Sequence, residues 1–369
     1  MKWRLAESIL PIMRARKLIL ILSFIGLIAA SACPLRADGI HQPAQAPDGP
    51  GGAMPAHTSV IQHMYGDGAT RYWIYEPDAP KPASAPVVIF IHGWTAMNPA
   101  IYGAWIDHIV KRGNIVIFPI YQASLLTAPA DFTPNAIASV QDGLARLQSE
   151  PDHVKPELDH LAAVGHSVGG LLVANIAALA KESALPQIKA VMSTEPGKTN
   201  SGNGRTFVPL AEMSKIPSST LLLAVAGDKD TLVKTDDALR IFHESTNVAP
   251  QNKNYVYVRS DSHGVPALAA THLAPVAPDL AYNTANTAAN GPTTRPVLRN
   301  PGIMIDALDY YAFWKLFDGL CDAAFYGTHR EYALGNTPEQ RFMGKWSDGR
   351  PVTELEVTVG ADDATQPAK

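Results

Sequence analysis

Residues 161–172 read LAAVGHSVGGLL, one serine held between small residues and bracketed by apolar runs. A hydroxyl is a weak nucleophile until a base takes its proton, so chemistry at Ser167 calls for a histidine and for a carboxylate to orient it. The spacing Gly165-His166-Ser167-Val168-Gly169 has a steric meaning. A sharp turn from strand to helix forces the serine into strained backbone geometry and brings the residues two before and two after it together, so both must be small. Gly165 and Gly169 meet that demand, and Gly170 allows further close packing.

Two downstream segments offer the partners. Asp230 lies in AVAGDKDTLV, three residues after Gly227 at the end of a strongly apolar run, and His263 lies in VRSDSHG after the next apolar run. Asp228 and Glu195, the latter in STEPG, compete for the role of acid. His272 competes for the base, but it stands farther from the strand end and reads as a solvated loop histidine. His153 and His160 read as surface or packing residues, and His166 as support for the turn. A developing oxyanion needs two main-chain N–H donors. Val168, directly after the serine, is one; the other is expected from the loop after VVIFI, which carries His92-Gly93-Trp94.

These groups need elements to hold them. Residues 59–63 and 70–75 read as two strands flanking the turn GDG. Strands are then expected at 87–91, 115–118, 160–164, 189–193, 220–226 and 255–258, with helices near 102–111, 134–148, after 167, and at 235–245 and 303–325. The second helix carries Thr133 as a cap, Pro134 at the first helical position, and Ile137, Val140, Leu144 and Leu147 at steps of three and four. In the last helix Leu308, Ala312, Leu316 and Leu320 make one stripe. Apolar strands alternating with amphipathic helices imply a mostly parallel sheet covered on both faces, with reactive groups at the carboxyl ends of its strands. Residues 265–300, rich in Ala, Pro, Asn and Thr, read as too polar and irregular for core.

With these motifs in place the chain resembles the α/β-hydrolases, in the broad group of serine esterases, lipases, cutinase-like polyester hydrolases and dienelactone hydrolases, over roughly residues 59–325. The resemblance implies an α/β-hydrolase fold, with Ser167 as nucleophile, His263 as general base and then acid, and Asp230 as the residue that orients and stabilises the imidazolium. It points to Trp94, in the HG loop, as the second oxyanion donor beside Val168. The activity it implies is carboxylic ester hydrolysis through an acyl-enzyme. Lipase or polyester hydrolase, peptidase, acyltransferase and non-catalytic binding protein are the other readings. The stretch between the 189–193 and 220–226 strands, where larger hydrolases insert a cap, is short, which implies no large cap domain and an open cleft. The 265–300 stretch reads as a flap.

Composition bounds the rest. The chain has 369 residues, a formal net charge of −4 and 17% charged residues, which argues against a nucleic-acid surface. Arg14, Arg16 and Lys17 precede LILILSFIGLIAASA, the pattern of an export signal, which becomes more compact if translation starts at Met13. Ala30-Ser31-Ala32 offers a cleavage site and Ala37 another; Cys33 alternatively resembles the lipid-modified cysteine of bacterial lipoproteins, which would tether the protein to a membrane. Residues 1–37 are therefore expected as leader, 38–58 as flexible linker, 59–350 as the hydrolase domain and 351–369 as a C-terminal tail, on a periplasmic or secreted protein. Cys321 is expected in a helix core. No cofactor and no metal is called for, the expected partner being a small or polymeric ester.

Overall fold

VVIFI is apolar at every position because the strand it forms is covered on both faces. In the computed structural model, which describes residues 39–199, 207–284, 294–300 and 302–360, the chain opens on an antiparallel hairpin of β1 (Ser59–Tyr65) and β2 (Tyr72–Asp78). There follow β3 (Ser84–Ile91), α1 (Gly103–Lys111), β4 (Ile115–Pro119), α2 (Phe132–Ser149), β5 (Lys155–His166), α3 (Val168–Leu179) and β6 (Ile188–Thr194). Then come β7 (Leu221–Gly227), α4 (Asp236–Glu244), β8 (Lys253–Val258), α5 (Thr294–Leu298), α6 (Trp314–Tyr326), α7 (Pro338–Arg341) and β9 (Glu356–Val359). The sheet runs β1-β2-β4-β3-β5-β6-β7-β8-β9, with β3 to β8 mutually parallel and β2 and β9 antiparallel to their neighbours. This is the expected α/β-hydrolase sheet.

Alternation along each strand divides the core. Val88 and Phe90 of β3 point with Trp105 of α1 and Phe317 of α6 to one face. Val87, Ile89 and Ile91 point to the other, against Val140 and Leu144 of α2 and Leu172 and Ile176 of α3. α2 buries the expected stripe, but it begins at Phe132 and Thr133 does not cap it. The Thr133 hydroxyl instead accepts a hydrogen bond from Asn175 of α3 at 2.9 Å, tying the two helices together. A turn of π-helix (Asp309–Phe313) leads into α6, where Cys321 is buried as expected.

Both flanks of the domain differ from expectation. Residues 39–58 contain no helix or strand, yet they lie along the body: the Ile40 carbonyl accepts from Val265 N, Tyr310 donates to the Pro43 carbonyl at 2.6 Å, and Gly51 N–H donates to the buried Asp318 at 2.7 Å. These ties run through the backbone, and Gln42 adds its side chain by donating to the Pro266 carbonyl at 3.0 Å, a pattern that leaves no apolar period to read. The expected C-terminal tail contributes β9, an edge strand paired with β8. The expected leader, residues 1–37, lies outside the described residues. His153 is a packing residue, as expected: Glu76, buried in β2, accepts from its Nδ1 and from the Val154 N–H, both at 2.6 Å.

Candidate active site

The turn at Ser167 has the geometry that its glycines imply. β5 ends at His166 and α3 begins at Val168, leaving Ser167 between them at φ 59° and ψ −123°. A Cβ on Gly165 would stand 2.3 Å from the Gly169 carbonyl oxygen, and one on Gly169 would stand 2.1 Å from that of Ile91. Neither site can hold a side chain. The strained serine is secured on both sides: its N–H donates to Thr194 O at 3.0 Å, and its carbonyl accepts from Gly170 N and Gly197 N.

At the carboxyl ends of the strands three side chains form one hydrogen-bonded line. Ser167 Oγ lies 2.9 Å from His272 Nε2, and His272 Nδ1 lies 2.7 Å from Asp230 Oδ2. With the proton on Nδ1, the imidazole donates to Asp230 and presents a lone pair to the serine hydroxyl. The other Asp230 oxygen accepts from the N–H groups of Leu232 and Val233, which orients the carboxylate. Burial works to raise the Asp230 pKa, but the hydrogen bond and charge of His272, aided by those two amides, bring it below the ordinary carboxylate value.

His263, expected as the base, is elsewhere. Its Nε2 pairs with Asp348 at 2.8 Å, its Nδ1 faces Arg350 at 3.2 Å, and its ring packs edge-on against Trp346. It holds the C-terminal segment to the domain. His272, expected as a solvated loop residue, is buried instead. The chain after β8 explains the exchange. A bridge between Asp261 and Leu268 pinches off residues 262–267 as a surface excursion that carries His263 outward. The chain then returns to the sheet, where Ala270 N donates to Ser260 Oγ and the Ala270 carbonyl accepts from Lys229 N. His272 therefore arrives beside the end of β7. A signal existed: His272 sits in ALAATHLA, a small and apolar setting, whereas His263 sits in the polar RSDSHG.

The same return path corrects the expectation for residues 265–300. Leu268, Ala270, Val276, Ala277 and Tyr282 belong to the core, while residues 285–293 lie outside the described part. Of the rival acids, Asp228 accepts from the Ser260 hydroxyl and is 3.8 Å from Arg259 Nε. Glu195 is fully buried at the end of β6, 3.7 Å from His272 Nδ1.

The His92-Gly93-Trp94 loop closes over the serine from β3, where a Cβ on Gly93 would touch Ser167 Cβ at 3.3 Å. Gly93 N–H donates to Tyr102 Oη and Thr95 N–H to Gln122 Oε1, whereas among the described residues the Trp94 N–H meets no protein acceptor. Val168 opens α3, and the first amides of a helix have no intrahelical acceptors. His92, buried beneath the loop, contacts the carbonyls of Gly93 and Ile120 and stacks on Tyr121; burial lowers its pKa to about 4. A second chain of hydrogen bonds backs the site. Gly93 N–H donates to Tyr102 Oη, Tyr102 lies 2.9 Å from His166 Nδ1, and His166 Nε2 lies 2.7 Å from the His272 carbonyl oxygen. His166 thus does more than support the turn.

Above Ser167 a cleft of about 430 Å³ opens, with Trp94, Ile101, Leu125, Leu273, Val276 and Val297 on its walls. The Trp94 indole is both a wall and a packed aromatic, 39% exposed and edge-on to Phe207. The short stretch where larger hydrolases insert a cap is described only at its ends, since residues 200–206 lie outside the described part.

Sheet order, strained serine turn and HG loop together define an α/β-hydrolase, and the chain belongs to that superfamily. Residues 70–214 match the sequence profile of the chlorophyllase family. A mimivirus protein assigned by name to the alpha/beta hydrolases (Acanthamoeba polyphaga mimivirus) is 30% identical over 107 residues, 28% of this chain and 30% of that protein. Chlorophyllase-1, chloroplastic, from Citrus unshiu and from Citrus sinensis is in each case 31% identical over 86 residues, 23% of this chain and 26% of the relative. The chain thus matches less than a third of the length of these relatives. The profile match covers the HG loop and Ser167 and stops before Asp230 and His272.

Proposed function

We propose that the protein is a serine hydrolase that cleaves carboxylic esters through Ser167, His272 and Asp230. The observation that carries this reading is the unbroken line from Ser167 Oγ through His272 to Asp230, lying in an apolar cleft. His272 Nε2 takes the Ser167 proton as Oγ attacks the ester carbonyl, and Asp230 stabilises the imidazolium that results. The N–H groups of Trp94 and Val168 receive the oxyanion, a contribution of about 3 kcal/mol per donor in sites of this kind. The tetrahedral intermediate collapses, the alcohol leaves with the proton from Nε2, and Ser167 keeps the acyl group. A water that gives its proton to His272 then attacks the acyl carbonyl; the acid leaves and Oγ recovers a proton.

The cleft supports esters with an apolar acyl or alcohol group. Leu125 and Leu232 line the cleft and stand exposed, which favours lipase-like or polyester substrates over short polar esters. The chlorophyllases among the relatives add a chlorophyll-type ester to the substrates worth testing. Assay of the protein against aryl esters of graded acyl length, with Ser167→Ala as control, tests the proposal; undiminished turnover in that variant would refute it. A fluorophosphonate probe that leaves native Ser167 unlabelled would favour the non-catalytic binding reading, and transesterified products in added alcohol would favour acyl transfer. We also propose export through the basic and apolar N-terminus, tested by cell fractionation, with acyl labelling of a Cys33→Ala variant deciding on a lipid tether.

A further inference from the structure

Among the described residues, Glu195 is a carboxyl at the site that the proposed reaction does not use. It follows β6 at φ 44°, a conformation that favours glycine, and it is fully buried. Among the described residues neither of its carboxyl oxygens has a hydrogen-bond partner. A buried polar group left without a partner is destabilising, so its retention in this chain calls for a reason. The surroundings hold it in place: Glu195 N–H donates to Val225 O at 2.7 Å, and Gly197 N–H to Ser167 O. Gly227 makes room for it, since a Cβ there would meet Glu195 Oε1 at 2.7 Å. Glu195 Oε2 lies 3.7 Å from His272 Nδ1 and 3.7 Å from His166 Nε2.

Resting on the proposed triad, we infer that Glu195 is a reserve acid for His272, a positioning residue that shares the Nδ1 edge with Asp230 and takes over that edge when Asp230 is removed. The groups that face it are His272 from the loop after β8, His166 from β5, Asp230 from the loop after β7, and Tyr102 from the turn before α1. Burial, helped by the negative charge of Asp230, raises its pKa well above the usual carboxylate value, although His272 acts in the opposite direction. In the resting protein these influences favour the protonated form of Glu195, while the hydrogen bond and charge of His272 favour the ionised form of Asp230. Without Asp230 the like-charge repulsion is gone, and a displacement of under about 1 Å brings Oε2 within hydrogen-bond distance of Nδ1.

A double-mutant cycle on the full chain tests this. Disabling the acid of such a triad costs about 10⁴-fold in kcat. Asp230→Ala is expected to lose only about 10²-fold, and adding Glu195→Gln to it about another 10²-fold, against a loss under about 10-fold for Glu195→Gln alone. In Asp230→Ala the acid limb of kcat/KM should come to depend on Glu195, and so differ from that of the Asp230→Ala/Glu195→Gln double variant. Equal factors for Glu195→Gln in both backgrounds would overturn the inference. Should Asp230→Ala fail to fold, Asp230→Ser, whose hydroxyl can still accept an amide of Leu232 or Val233, replaces it in the same cycle. Ser167→Ala separates the two levels: activity surviving in that variant refutes the triad, whereas loss there with an additive cycle refutes only the reserve acid.

Discussion

His166 Nε2 stands 2.7 Å from the main-chain oxygen of His272, so a residue inside the nucleophile turn holds the backbone of the residue that faces the nucleophile. The ring is buried and neutral, its pKa lowered by burial to about 4. Nε2–H is therefore the donor to the carbonyl, and Nδ1 accepts from Tyr102.

Tyr102 makes this arrangement testable. Replacing it by Phe leaves Gly93 N–H and His166 Nδ1 without their partner in a buried setting. We expect Tyr102→Phe to lose about 1–3 kcal/mol of stability and roughly 10-fold in kcat with little change in KM. Urea denaturation and steady-state ester kinetics measure both; unchanged kcat would mean that the relay does not position the reacting groups.

The two rival histidines should separate cleanly. His272→Ala is expected to reduce kcat by about 10⁴-fold or more, whereas His263→Gln, which disturbs contacts to Asp348, Arg350 and Trp346 away from the serine, should keep kcat within about 2-fold. Parallel aryl ester assays decide, and the opposite pattern would return the role of base to His263.

At the turn, Gly165→Ala places a methyl group where the Gly169 carbonyl oxygen stands 2.3 Å away. The backbone must move, and with it the serine. Loss of soluble protein, or a destabilisation of more than about 3 kcal/mol, is the expected result; a variant with native melting temperature and native activity would show that the turn is looser than its geometry implies.

Stability should depend on pH through His92 and His166. Burial keeps both neutral in the native state down to about pH 4, whereas in the unfolded chain they protonate near 6.5. Between those values the unfolded state binds more protons, so stability is fully present above pH 6.5 and falls as the pH falls toward 4. Each histidine contributes on the order of 3 kcal/mol to that loss. Urea titrations from pH 7.5 to 4.5 measure it, and a flat profile would mean that the two rings protonate without unfolding.

The serine, its glycines, the HG loop, the acid and the alternating elements were legible in the sequence because each is a local matter. Gly165 and Gly169 answer to a steric demand four residues wide, and runs such as VVIFI and TLLLAVA answer to burial on both faces of a sheet. Asp230 follows its strand directly, so its distance along the chain reflects its distance in space. The histidine did not obey that rule. Between β8 and His272 the chain closes a bridge from Asp261 to Leu268, and this long-range pairing carries His263 to the surface and returns His272 to the cleft. The same holds for residues 39–58 and 351–360, whose attachment to the domain is made by long-range contacts, from backbone groups such as the Ile40 carbonyl and from side chains such as Gln42, Val352 and Leu355. Residue types decided that a strained serine would stand at the end of β5; which histidine faces it was decided by where the fold lets the chain come back.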